Sequence, residues 1–159
     1  LETLTSDHVT IAREIAAQSQ CVRRRYGCLI TNGVETTVTF NLRISRCCNN
    51  FCVRDSVQLK HGQAVDLGAE IHAEQAALIK WRFPVDKHTK ILIQAYNSST
   101  NDLFYEENLF PCHVCALMIK YAGFKSVNIT NRLGDLYPVN IDEIISYREA
   151  AWESYLINA

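Results

Sequence analysis

Two short stretches, Ile71-His72-Ala73-Glu74 and Pro111-Cys112-His113-Val114-Cys115, hold the residue types in this chain best suited to chemistry. His72, Cys112 and Cys115 supply one imidazole and two thiolates, enough for three positions on Zn²⁺ with the fourth left for water. Glu74, two residues from the histidine, is poorly placed to join the same ion, and a carboxylate beside an open metal position can carry protons. A structural zinc would instead take a fourth protein ligand, and Glu74 would then be an ordinary solvated helix residue. A bare C-x-x-C also serves redox chemistry or a zinc knuckle. His113, inside the C-x-x-C, is read as a non-ligand.

At 159 residues the chain suits one domain, 1–159, with a single packed core. A hydrophobic content of 48% and a net charge of −1 fit a soluble globular protein and offer no broad basic field for extended nucleic acid. The longest apolar runs are short, such as Ile91-Leu92-Ile93, so neither a transmembrane helix nor a membrane partner is expected. No secretory signal stands out, and Met118 is the only methionine, so a trimmed start is expected. The seven cysteines are odd in number and partly spaced beside His and Glu, which favours metal ligation in a reducing compartment, the cytoplasm, over a disulfide scaffold.

The elements that must position these residues follow from periodicity. Residues 5–19 predict an amphipathic helix capped by Thr5 or Ser6, with Ile11, Ala12, Ile15 and Ala16 as its apolar stripe. Residues 26–31 and 34–41 predict strands joined by Asn32-Gly33, a strong hairpin signal. From 42 to 68 no period holds, as in functional or metal-stapled loops. Ala69–Arg82 predicts a helix ended by Pro84, with Ile71, Gln75, Leu78 and Ile79 in register. A buried strand over 90–96 precedes a polar, turn-rich stretch over 97–109. Pro111 and Cys112 then open a helix that runs to Tyr121 and closes at Gly123. Residues 125–130 predict a fourth strand, and Asn140 caps a last helix with Ile141, Ile144, Ile145, Trp152, Tyr155 and Leu156 on one face. The order α-β-β-α-β-α-β-α implies a three-layer α/β/α sandwich. Its mixed sheet would have an N-terminal antiparallel hairpin and parallel strands at the crossovers. Both metal-bearing motifs start helices, so their N-termini can converge on one ion.

At these residues the chain resembles the cytidine deaminase-like superfamily, whose zinc nucleobase deaminases carry H-x-E with P-C-x-x-C, and within it the deoxycytidylate (dCMP) deaminases most closely. Ser19-Gln20-Cys21-Val22-Arg23-Arg24 with Tyr26-Gly27-Cys28 is similar to the family's S-x-C-x-R-R-x-x-G segment. Thr39-Phe40-Asn41 stands in the place of its G-Y-N motif. Cys52-Val53-Arg54-Asp55, Gly62 and Ile71-His72-Ala73-Glu74-Gln75 look like its C-x-R-D and I-H-A-E-Q stretches. With Pro111–Cys115 the resemblance covers residues 5–130. The chain departs from the family in the stretch 97–109, in the missing glycines around Asn41, in Ala76 where asparagine is common, and in a helical C-terminus where many relatives carry a fifth strand.

The resemblance implies hydrolytic deamination of a cytosine nucleotide, dCMP or a 5-modified dCMP, with Zn²⁺ on His72, Cys112 and Cys115 and Glu74 as proton shuttle. It implies that the Ala73 backbone meets the pyrimidine edge and Asn41 the sugar hydroxyl; a strand-end asparagine is the plain alternative. Phe110 can lie against the ring or simply fill the core. Arg23, Arg24, Arg43 and Arg46 are candidates for a phosphate clamp, because guanidinium forks match phosphate oxygens, and equally for a solvated basic patch. Some family members carry a second, structural zinc, and Cys21, Cys48 (or its neighbour Cys47), His61 and Glu70 fall near the corresponding places, leaving Cys28 in the core. Otherwise these are buried thiols and a loop histidine. The partner is expected to be a small nucleotide, and a homo-oligomer is expected. Deamination of a free nucleoside, or of a base in RNA or single-stranded DNA, are variants of the same chemistry. A catalytically silent binding or regulatory subunit is the non-enzyme alternative, and it has no need of Glu74.

Overall fold

The N-terminal helix and the first strand touch so closely at Gly27 that a Cβ there would stand 2.1 Å from the Ala12 carbonyl oxygen. This contact seats the helix on a mixed α/β fold. A computed structural model describes residues 3–21, 23–43 and 70–157. The expected ligands Cys48 and His61 and the arginine Arg46 lie outside the described residues, as does the side chain of Arg43.

Helix α1 spans Ser6–Ala16 with Thr5 as N-cap, whose backbone N–H donates to His8 Nδ1 at 3.0 Å. Its inward face is Val9, Ala12 and Ala16; Ile11, expected in the stripe, is exposed, because only residues in register with Ala12 meet the sheet. Strands β1 (Arg24–Thr31) and β2 (Thr36–Phe40) form the expected antiparallel hairpin, but over four residues instead of two. Thr31 pairs with Thr36, and Asn32 Oδ1 accepts the Val34 and Glu35 N–H groups at 3.0 and 2.7 Å, with Gly33 at φ +91°. The Asn32 side chain and its own N–H, which donates to the Glu35 carbonyl at 3.2 Å, together close the turn.

Two-residue strands β3 (Leu42–Arg43) and β4 (Glu70–Ile71) pair antiparallel in a small second sheet. They shorten the helix expected over Ala69–Arg82: α2 spans Ala73–Lys80, with His72 as its N-cap and not in its first turn. Its buried positions are Ala73, Glu74, Ala76 and Ala77, while Ile79 is exposed. Strand β5 (Lys90–Asn97) is buried along most of its length. A bridge between Tyr96 and Leu103 and a 3₁₀ turn at Glu106–Leu109 give the 97–109 stretch a defined path that drops Leu109 into the core. Helix α3 (His113–Tyr121) has Cys112 as N-cap. It ends with Gly123 at φ +108° and with Gly123 and Phe124 N–H bonding back to Lys120 and Ile119 carbonyls, a glycine-closed C-terminus.

Strand β6 (Ser126–Thr130) is followed by a further strand, β7 (Leu136–Asn140), which the sequence reading lacked. β7 pairs antiparallel with β6 at the edge of the sheet. Pro138 can sit there because an edge strand has one side free of ladder bonds. Asn140 caps the last helix, α4 (Ile141–Ile157), accepting the Asp142 N–H at 2.8 Å.

The five-stranded sheet has the order β2-β1-β5-β6-β7. β5 and β6 are parallel, whereas β1 is antiparallel to both β2 and β5, so the parallel neighbours expected at every crossover reduce to one pair. β2 and β5 still run in the same direction, since each opposes β1. Alternate residues face opposite sides. Cys28, Ile30, Ile91, Ile93, Val127, Ile129 and Val139 join Ala77, Ile119 and Ile144 of α2, α3 and α4. On the other face Leu29 and Leu92 meet Val9 and Ala12 of α1. No helix among the described residues is long and apolar enough to cross a membrane.

Candidate metal centre

α2 and α3 both start at the end of the sheet where β2 and β5 finish. Thr39, near the end of β2, donates its hydroxyl to the Ala73 carbonyl at 2.7 Å and so fixes the first turn of α2. His72 N–H donates to Gln75 Oε1 at 2.9 Å, and the Gln75 amide reaches Met118 Sδ of α3 at 4.0 Å. The side chains of two helix N-caps, His72 and Cys112, therefore project toward one point, where the positive ends of two helix dipoles favour anions such as thiolates.

His72 Nδ1 lies 3.6 Å from Cys112 Sγ and 3.3 Å from Cys115 Sγ, and the Cys115 N–H points at Cys112 Sγ at 3.5 Å. The three ligand atoms all lie within 4.8 Å of one another, so this group can hold a metal ion. Zinc bonds of about 2.3 Å to sulfur and 2.0–2.1 Å to nitrogen at tetrahedral angles put S and N about 3.5 Å apart. The observed spacings bracket that value. His113 is not among the three; its ring lies tilted against that of Trp152 of α4, 4.2 Å between centroids.

Glu74, in the first turn of α2, is only 4% exposed. Burial raises its pKa, against the lowering influence of the His72 charge and of the Cys115 side chain. Burial alone would depress the His72 pKa, but the bond to Cys112 and the Glu74 charge bring it up to about 9. Cys112 is drawn down to about 4, first by its hydrogen bond from Cys115 and then by His72, against its own burial. Cys115 is pushed upward by the same bond to Cys112 and by burial. The bond between the two cysteines thus draws one of them toward the thiolate and holds the other back from it.

The other expected site residues divide. Ala73 is fully buried beside His72, with its carbonyl engaged by Thr39. Asn41 is 2% exposed and bridges the chain: Oδ1 accepts the Tyr26 N–H at 2.9 Å, and Nδ2 donates to the Arg24 carbonyl at 3.1 Å and Glu70 Oε2 at 3.0 Å. Among the described residues Oδ1 takes only the Tyr26 N–H, which leaves a lone pair for another donor. Phe110 packs against the core, edge-on to Tyr147 at 5.2 Å. Arg24 stacks over Phe104 at 5.1 Å. Ser98 joins the same edge, its hydroxyl donating to the Cys21 carbonyl at 2.7 Å and its N–H to that of Arg23 at 3.3 Å. The 97–109 stretch therefore lines the arginine segment. Cys21 is buried, its Sγ accepting the Arg24 N–H at 3.5 Å.

Two neighbours of the centre escaped the sequence reading. Tyr26 points into the same side of the sheet, and its hydroxyl pKa is pushed up to about 12 by burial, against the lowering influence of Arg24. Arg148 of α4 is buried against Phe110 and Pro111. A charged residue in register with Ile141, Ile144 and Ile145, where the stripe calls for an apolar one, was the available signal. Compared with protein-family models, curated proteins and solved structures, the chain matches none.

Proposed function

We propose that the chain is a zinc-dependent hydrolase of the cytidine deaminase-like superfamily, converting a cytosine nucleotide, dCMP or a 5-modified dCMP, to its uracil counterpart with release of ammonia. The observation that carries this reading is the meeting of His72, Cys112 and Cys115 with Glu74 buried against them. Helices on both faces of a mixed sheet agree with the three-layer α/β/α sandwich of that superfamily.

His72, Cys112 and Cys115 would hold the zinc, which when bound acidifies a water at the position the protein leaves open. Glu74 would take a proton from the attacking water as its oxygen bonds to the ring carbon, and return protons to the ring nitrogen and to the amine as the C–N bond breaks and ammonia leaves. A carboxyl whose pKa is raised by burial holds a proton more readily between those transfers. The Ala73 backbone and Phe110 are assigned to the pyrimidine, Asn41 to the sugar hydroxyl, and Arg23, Arg24, Arg43 and Arg46 to the 5′-phosphate. Ser98 and Phe104 touch the arginine segment, so 97–109 would border the phosphate end of the pocket. A second, structural zinc on Cys21, Cys48, His61 and Glu70, a cytoplasmic setting and a homo-oligomer complete the reading.

The test is a substrate panel. The zinc-loaded protein is incubated with dCMP, dCTP, cytidine and a short single-stranded oligonucleotide, and ammonia release is followed with the change in absorbance. The proposal expects dCMP to be turned over best. Preference for the oligonucleotide or the nucleoside would redirect the reading to that substrate, and silence on all four would support a binding subunit.

A further inference from the structure

We infer that Arg148 is a positioning residue for the metal centre: from α4, its guanidinium sets the backbone that leads into Cys112 and balances the negative charge of the two cysteines and Glu74. The inference rests on the metal reading above and adds a residue to it.

Arg148 is 8% exposed, and arginine is seldom buried without strong partners. Its Nε donates to the Pro111 carbonyl at 2.9 Å and Nη2 to the Phe110 carbonyl at 2.7 Å. These are the last two carbonyls before Cys112. One rigid planar fork thus fixes the direction in which the chain enters α3, and with it the place of Cys112 Sγ. Lysine keeps the charge but has no fork. Tyr147 strengthens the grip, lying 5.5 Å from the guanidinium and edge-on to Phe110 at 5.2 Å.

Charge leads to the same residue. Two thiolates cancel a divalent cation, so an ionised Glu74 leaves the buried centre one charge negative. Arg148 feels Cys112, Tyr147, Tyr26 and Glu74 as its electrostatic neighbours. Its positive charge would offset that remainder.

The experiment compares wild type with Arg148→Lys, Arg148→Gln and Arg148→Met. Zinc affinity is read by competition with a chromophoric chelator, metal geometry by the absorption of the Co²⁺-loaded protein, and fold by melting of the zinc-free form. Loss of a group that orients a metal ligand typically weakens metal binding 10–100-fold. Arg148→Lys should fall about tenfold and Arg148→Met about a hundredfold, with altered cobalt bands in both. Zinc affinity and cobalt bands equal to wild type in the folded variants, even with lowered melting temperatures, would overturn the inference. Should Arg148→Met not fold, the Lys and Gln variants carry the comparison. In wild type itself, nitrogen NMR should show an arginine Nε–H protected from exchange that shifts on zinc loading; its absence would also overturn the inference. A wild type that takes up no zinc would overturn the metal reading together with this one, whereas normal uptake with unaffected variants removes only Arg148.

Discussion

Asn41 donates its carboxamide N–H to the Glu70 carboxylate at 3.0 Å, joining a residue assigned to the substrate sugar to one assigned to a second metal. The same amide ties the Arg24 carbonyl and the Tyr26 N–H, so it holds the start of β1 beside β4 directly before His72. Whatever Asn41 does for a ligand, it first braces the approach to the metal centre.

Asn41→Ala should therefore destabilise the protein itself, by about 2–4 kcal/mol, because it removes three hydrogen bonds of a buried side chain to partly buried partners. Urea unfolding of the zinc-free protein measures this. A loss under about 0.5 kcal/mol would mean that the bridge contributes nothing to folding and that Asn41 is free for the substrate alone.

Glu74→Gln should keep metal and fold while turnover falls by at least ~10²–10⁴-fold, since an amide of the same shape cannot carry protons. Metal content and unfolding midpoint are measured beside ammonia release. Near-normal turnover in a zinc-replete Gln variant would take the proton shuttle away from Glu74.

The elements carrying the centre were legible because their signals are local. The H-x-E and P-C-x-x-C spacings, the apolar rhythm of α3 and β5, Gly123 and the Asn140 cap each act within a few residues. β7 was hidden because five residues with a proline in the middle read as loop until β6 supplies a partner. α2 was drawn too long because its buried face is alanine and glutamate, which leaves no large apolar stripe to mark its start. Arg148 stands out in register with Ile141, Ile144 and Ile145, but its partner Pro111 lies 37 residues away and the helix alone does not name it.

Metal loading should expel protons. Near pH 7 His72, with a pKa of about 9, carries its proton, and so does the Cys115 thiol, whose pKa is raised; Cys112, at about 4, is already ionised. Zinc takes only deprotonated ligands, so about two protons should leave per ion. Affinity should rise with pH, more steeply below the titration of His72 near 9 than above it, where Cys115 still has a proton to lose, and fall on acidification. Calorimetry in buffers of different ionisation enthalpy counts the protons, and a count near zero would contradict this protonation pattern.

Arg24→Gln should weaken use of a 5′-monophosphate by about ten- to a hundredfold, the effect of losing one charge-assisted bond of roughly 1.5–3 kcal/mol. Nucleoside turnover should scarcely change. Parallel kcat/KM values for dCMP and deoxycytidine check this, and an equal fall on both would assign Arg24, stacked on Phe104, to the pocket wall instead of the phosphate.

The central claim is tested most directly by ammonia release from dCMP, measured on one preparation before and after zinc is removed by a chelator and then restored. The account predicts dUMP and ammonia in equal amounts from the zinc-loaded protein, loss of both on removal of the metal, and recovery on its return. A folded, zinc-replete protein that leaves dCMP unchanged would contradict it.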